Sequence, residues 1–213
     1  MYKTVVFDLD GTLLNTLTDL ADAGNRLCRK YGWPTHERQA YRYFVGNGIP
    51  KLVERLAPAD QRTPAVLEAA LADFKRDYGQ HLRDTTAPYP GIPEMLAKLK
   101  ANGVQLAVFS NKADALAKEV VKDYFGTQYF TIVRGQMTGV APKPAAEGTN
   151  ALLQALHADP ASTLYVGDSN VDVETAHNAN LPCCGAVWGF RTREELNAAG
   201  AEYLAENSDE LYD

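Results

Sequence analysis

The chain has no apolar run approaching the roughly 20 residues that a membrane-spanning helix requires. Clustered cations are missing too. Lys and Arg number 21 against 27 Asp and Glu, a formal net charge of -6, which leaves no electrostatic footprint for nucleic acid or an anionic membrane. Neither kind of partner is expected. Cysteine is scarce: Cys28 and the adjacent Cys183 and Cys184 form no C-x-x-C or metal-like spacing, so they read as buried thiols. Internal repeats and low-complexity tracts are lacking. Met1-Tyr2-Lys3 runs directly into a strand-like segment instead of the apolar core of a signal peptide, so the expected location is cytoplasmic.

What the sequence does contain is the composition of an ordinary globular protein, 46% hydrophobic and 23% charged over 213 residues. A chain of this size can bury roughly 70% of its unfolded surface. Thr4-Val5-Val6-Phe7 is a β-branched and aromatic run that stops at an acidic turn, the pattern of a buried strand. The same shape recurs at 104–109, before Ser110-Asn111-Lys112, and at 163–166, before Gly167-Asp168-Ser169. Between them lie helical patterns: Ile92, Met95, Leu96 and Leu99 closed by Gly103, then Leu116, Val120, Val121 and Tyr124 closed by Gly126. Alternating strand and helix imply a parallel α/β sheet, whose ligands bind outside the carboxyl ends of the strands.

Residues 16–86 break the alternation. Leu17, Leu20, Ala21, Gly24, Leu27, Cys28 and Tyr31 fall on one helical stripe, as do Leu67, Ala70, Leu71, Phe74 and Tyr78, with Ile49, Leu52, Val53 and Leu56 between. This is an all-helical insertion. The turn-rich segment Thr85-Thr86-Ala87-Pro88-Tyr89-Pro90-Gly91 returns the chain to the sheet. The expected domains are therefore 1–15 with 87–213, and 16–86.

Chemistry concentrates at the strand ends. Asp8-Leu9-Asp10-Gly11-Thr12 places two carboxylates at i and i+2 just past a strand, with Gly11 permitting close approach to an anion. Taken alone, such a stretch is also an ordinary acidic turn. Gly167-Asp168-Ser169-Asn170-Val171-Asp172 sets two more acids four residues apart at another strand end. Hard cations such as magnesium take oxygen ligands of this kind, although helix capping accounts for one Asp there just as well. Ser110 and Lys143, the latter between Pro142 and Pro144, would be surface decoration in isolation. Placed with the acids, a hydroxyl, backbone N–H groups and an ammonium can hold phosphate oxygens.

In that order, Asp8-x-Asp10-Gly11-Thr12, Ser110, Lys143 and Gly167-Asp168-x-x-x-Asp172, the sequence resembles the haloacid dehalogenase-like hydrolases. The resemblance implies a Rossmann-like, doubly wound core, an aspartyl-phosphate intermediate, a magnesium cofactor, and a mobile cap at 16–86. It implies Asp8 as nucleophile and metal ligand, Asp10 as general acid/base giving its backbone carbonyl to the metal, and Asp168 as the second carboxylate ligand. Asp172 is left open between ligation, through water included, and orienting Lys143 and Asp168. Thr12, Ser110 and the backbone of Asn111 are expected to bind phosphate, with Lys143 steadying nucleophile and phosphate.

Within the family the chain looks most like the phosphoglycolate phosphatase branch, on Asp8 to Leu14, Val45-Gly46-Asn47-Gly48 and Trp188-Gly189-Phe190 after a late strand. One departure is Asn15, where relatives commonly carry Asp. Gly46, Asn47 and Gly48 are candidates for contacting the leaving group, and Lys51 or Arg55 for a substrate carboxylate, against the plainer reading of a solvated helix face. Asp10 argues against dehalogenase and phosphonatase chemistry. A sugar-phosphate mutase, a pyrophosphatase or a nucleotidase of the same fold remains open, as does, from another class, a phosphoacceptor or binding module; receivers of that class are shorter and lack the insertion. The expected partner is a small phosphorylated metabolite, and the expected state a monomer or homodimer.

Overall fold

The computed structural model describes residues 2–212. In chain order the elements are β1 (Thr4–Phe7), β2 (Leu14–Asn15), α1 (Leu17–Tyr31), α2 (Arg38–Phe44), α3 (Ile49–Leu56), α4 (Pro64–His81), β3 (Ala87–Pro88) and α5 (Ile92–Ala101). There follow β4 (Gln105–Ala113), α6 (Asp114–Phe125), β5 (Phe130–Gln136), α7 (Ala146–Leu156), β6 (Thr163–Gly167), α8 (Asn170–Asn178), β7 (Cys183–Ala186), α9 (Arg193–Ala199), β8 (Tyr203–Ala205) and α10 (Ser208–Tyr212). The chain divides into two compact units, Asn15–Ala87 and the remainder. It crosses between them at β2 and β3.

The larger unit is a six-stranded sheet in the order β5-β4-β1-β6-β7-β8, and every pairing in it is parallel. β1 is buried along its whole length because its run of Thr, Val, Val and Phe meets protein on both faces, as strands of covered parallel sheets do. Val6 lies opposite Ala107 on one side and Tyr165 on the other. Around that line Phe109, Leu152, Leu153, Tyr165, Val173, Ala176 and Leu196 close a continuous core. The chain builds outward from β1 through β4 to β5 and then returns to the other flank for β6, β7 and β8. That reversal makes the carboxyl ends of β1, β4 and β6 the topological switch point where α/β folds bind ligands.

β4 runs past the expected 104–109 to Ala113. Against β5 its register jumps from Phe109 opposite Arg134 to Ala113 opposite Gln136, so three residues of β4 face the single Gly135. Ser110, Asn111 and Lys112 are all buried, as are the four residues before them in this covered strand, and the bulge sets which way each of the three is presented. Gly135 permits it, since a Cβ there would collide with the Lys112 carbonyl oxygen. β7, with the sequence Cys-Cys-Gly-Ala, and the three-residue β8 carry weak strand signals and pair by position in the sheet more than by propensity.

The helical unit packs α1 against α4, with Leu20, Leu27, Leu52, Val53, Leu56, Phe74 and Tyr78 buried. Leu17, Tyr31, Leu67 and Leu71, expected on the same stripes, are only half-buried. The periodicity gave no sign of Asp19. Nearly inaccessible in α1, it accepts hydrogen bonds from the backbone N–H groups and hydroxyls of Thr85 and Thr86 at 2.5–2.9 Å, with a second contact to Thr85 N at 3.2 Å. Burial raises its pKa, but these donations outweigh burial and hold the carboxyl below its ordinary value. Stability from such a group is present above the unfolded carboxylate range and is lost as pH falls through the depressed value. Asp19→Ala takes the acceptor from the donors of Thr85 and Thr86 and should cost about 3 kcal/mol, lowering Tm on the order of 5–10 °C near neutrality. The gap between wild type and variant should narrow on acidification in thermal melts.

Candidate active site

Four segments of the larger unit supply the site. Asp8 and Asp10 follow β1, and the turn beyond them is tied by Gly11 N to Leu14 O at 2.8 Å and by Leu13 N to Leu9 O at 3.0 Å. Gly11 has φ of +93°, and a Cβ there would run into the Asp168 carboxylate. Glycine is thus required twice, for its backbone conformation and for the approach of a charged neighbour. The β4 bulge brings Ser110, Asn111 and Lys112; the segment before α7 brings Lys143; the end of β6 and the first turn of α8 bring Asp168 and Asp172.

Carboxylate oxygens of Asp8, Asp168 and Asp172 lie within 4.8 Å of one another, and all three side chains are buried. Lys143, equally buried, has its Nζ 2.8 Å from Asp8 Oδ1 and 2.7 Å from Asp172 Oδ1. Its Nζ also contacts the Tyr165 hydroxyl at 3.2 Å and the Phe109 carbonyl at 3.3 Å. Asp172 Oδ2 accepts from Ser169 N at 3.1 Å and Ser169 Oγ at 2.6 Å, completing a capping box on α8. Both oxygens of Asp172 are therefore engaged. Asp168 accepts from Thr12 Oγ1 at 3.1 Å and from Phe190 N at 2.7 Å. Thr12, expected to bind phosphate, has its hydroxyl on Asp168 and its N–H on Leu9 O, so it also orients Asp168.

Charge does not balance in this cluster. Three carboxylates face one ammonium, because the second buried lysine, Lys112, is paired with Asp10 at 3.0 Å. Burial raises the Asp8 carboxyl to about 7; Lys143 opposes the rise and Asp172 adds to it. Asp168 is pushed well above its ordinary value by burial, with Asp172 and Asp8 adding to it. Burial pulls Lys143 down, but Asp172 and Asp8 outweigh it and raise its value. Asp8 Oδ1, although close to Lys143, is buried with no hydrogen-bond donor aimed at it. Three carboxylates around one ammonium, oxygen-only donors and a buried carboxylate oxygen without an aligned hydrogen bond fit a hard divalent cation.

Several supporting residues carried no sequence signal for their role. The Asn111 side chain brackets the Lys143 backbone, accepting from its N–H at 2.8 Å and donating to its carbonyl at 3.2 Å. Trp188-Gly189-Phe190, visible in the sequence only as a branch signature, ties down the site. Trp188 Nε1 donates to Thr12 O at 2.9 Å, and Phe190 N holds Asp168. Ser110 is buried beside them, and its Oγ accepts from Lys112 N at 3.2 Å.

The candidates at 46–55 lie in the helical unit. Gly46 and Gly48 take φ of +112° and +84° in the turn between α2 and α3. Arg55 donates to Phe44 O at 2.8 Å and Asn47 Oδ1 at 2.9 Å, fixing that turn. Lys51 is exposed and pairs with Glu54 at 2.9 Å.

An acid whose folded-state pKa is raised stabilises the fold below the unfolded value of about 4 and loses that stabilisation as pH rises through about 7. Metal-free protein should therefore lose Tm across this interval. Asp8→Asn, which cannot ionise, should flatten the loss and melt higher than wild type at pH 8. Magnesium should raise the melting temperature of wild type more than that of the variant.

The geometry agrees with three comparisons. A family profile described as haloacid dehalogenase-like hydrolase matches residues 5–186. A phosphoglycolate phosphatase of Chromobacterium violaceum is 31% identical over 214 residues, covering 99% of this chain and 95% of the relative. One from Thiobacillus denitrificans is 31% identical over 191 residues, covering 88% and 84%. The crystal structure of a Lactobacillus delbrueckii subsp. bulgaricus protein, provisionally named a phosphoglycolate phosphatase, superposes with a TM-score of 0.93 at 28% identity, covering 99% of this chain and 97% of that one. The chain therefore belongs to the haloacid dehalogenase-like hydrolases, on their phosphoglycolate phosphatase-like branch.

Proposed function

We propose that this phosphoric monoester hydrolase is a magnesium-dependent phosphatase acting on a small phosphorylated metabolite, 2-phosphoglycolate first among candidates. The observation that carries the reading is the buried triad Asp8, Asp168 and Asp172 closed by Lys143, at the switch point of the sheet. Asp8 and Asp168 would hold the metal, with the backbone carbonyl of Asp10. Asp172 serves to anchor Lys143 and cap α8, which engages both of its oxygens. Bound there, magnesium would supply the positive charge that lets an anionic nucleophile meet an anionic phosphate.

The residues divide the work as follows. An Asp8 oxygen attacks phosphorus as the bond to the leaving oxygen breaks, and Asp10 gives its proton to that alkoxide. Water then attacks the phosphoryl group on Asp8, Asp10 takes the water's proton, and phosphate leaves with the Asp8 carboxylate restored. Lys143 offsets charge on the nucleophile and the transferring group. Ser110 and the backbone of Asn111 would hold phosphoryl oxygens. The helical unit, with Gly46, Asn47 and Gly48 on one turn, would serve as the cap; Arg55 would shape that turn, and Lys51 would be the freer candidate for a substrate carboxylate. Relatives bearing the phosphoglycolate phosphatase name support the substrate.

Phosphate release should be assayed from 2-phosphoglycolate, p-nitrophenyl phosphate, glucose 1-phosphate, pyrophosphate and nucleotides, with magnesium and with chelator. The reading expects chelator-sensitive release with 2-phosphoglycolate preferred, and a loss of at least about 1,000-fold in Asp8→Asn. Interconversion of sugar phosphates without net release would indicate a mutase. Release undiminished in Asp8→Asn would overturn the mechanism.

A further inference from the structure

The mechanism above uses one of the two buried lysines at the strand ends. Lys112 is as deeply buried as Lys143, each with 2% of its side chain exposed, yet it stands outside the carboxylate triad. Its Nζ lies 3.0 Å from Asp10 Oδ1 and 3.2 Å from Asp10 Oδ2, so one ammonium spans both oxygens of the carboxylate. The geometry points to Lys112 as a positioning residue that fixes the Asp10 carboxylate for proton transfer. This inference rests on the phosphatase reading, in which Asp10 is the acid/base.

Three features of the fold support it. The contact joins residues 102 positions apart, and Lys112 makes it from within the β4 bulge. Gly135 leaves room for the bulge, and its N–H donates to Asp114 Oδ1 at 3.0 Å, fixing the backbone just beyond Lys112. The ion pair is secluded, with 2% of the lysine and 15% of the aspartate side chain exposed. Buried ion pairs often add little net stability over apolar packing, so net stability alone is a weak account of this one. Here the group held is the Asp10 carboxylate, next to Gly11 in the turn after β1.

Proton transfer needs Asp10 within hydrogen-bond reach of the leaving oxygen in the first step and of water in the second. A carboxylate free to turn meets that geometry only part of the time. Removing the ammonium should therefore lower turnover, not substrate binding. It should also do nothing once Asp10 can no longer carry a proton.

The test is a double-mutant cycle in the full-length protein, with phosphate release from 2-phosphoglycolate and p-nitrophenyl phosphate as readouts. Lys112→Met should lower kcat on the alkyl ester by about 100-fold, with KM changed by less than about 3-fold. For p-nitrophenyl phosphate, whose leaving group departs without a proton, the first turnover should be slowed less than for the alkyl ester. A burst of p-nitrophenol should then precede slow steady release as phosphoenzyme accumulates. In an Asp10→Asn background the same substitution should change kcat by less than about 3-fold. A full 100-fold loss in both backgrounds, or a raised KM with kcat intact, would overturn the inference. Should Lys112→Met fail to fold by circular dichroism, Lys112→Gln in both backgrounds carries the same comparison. Failure of the underlying reading looks different, because Asp10→Asn would then leave wild-type turnover unchanged whatever stands at 112.

Discussion

The arrangement depends on an unbalanced buried charge: three aspartates and one lysine packed where the sheet reverses direction. Burying a carboxylate without a partner costs several kcal/mol, and like charges close together raise the cost further. The fold meets it with specific donors. Asp172 takes the N-cap of α8 and the Lys143 ammonium, while Asp168 takes the Thr12 hydroxyl and the Phe190 N–H. Asp8 Oδ1 is left with an ion pair and no aligned hydrogen bond. The carboxylate assigned to attack phosphorus shares the Lys143 ammonium with Asp172.

Much of the fold around this cluster follows from keeping those groups in place. Gly11 allows the β1 loop to touch Asp168, and the Trp188–Phe190 segment presses on the same loop from β7. Asn111 clamps the backbone of Lys143, so the lysine is placed by a neighbour on a different strand end. The buried β4 bulge supplies Ser110, Asn111 and Lys112 from one short segment.

The parallel sheet, the helical insertion and the acidic strand ends were legible in the sequence, because buried strands and amphipathic helices leave periodic signals and the acids sit at fixed offsets from them. Asp8, Asp10, Asp168 and Lys143 stood out by order along the chain. What could not be read were relations across the fold. The bond from the Thr12 hydroxyl to Asp168 and the clamp of the Asn111 side chain on Lys143 left no mark in the order of residues. Asp19 sits on a helix whose apolar stripe masks a buried acid, and its partners lie 66 and 67 residues away. The bulge that holds Lys112 depends on Gly135, in an edge strand whose partial exposure gave little pattern.

The central claim is that the uncompensated charge of the triad is there to take a divalent cation. Isothermal titration of metal-free protein with magnesium, for wild type and Asp168→Asn, tests this directly. The account predicts one binding site in wild type and its loss or severe weakening in the variant. Undiminished binding in Asp168→Asn, or no binding by a folded wild-type protein, would contradict it.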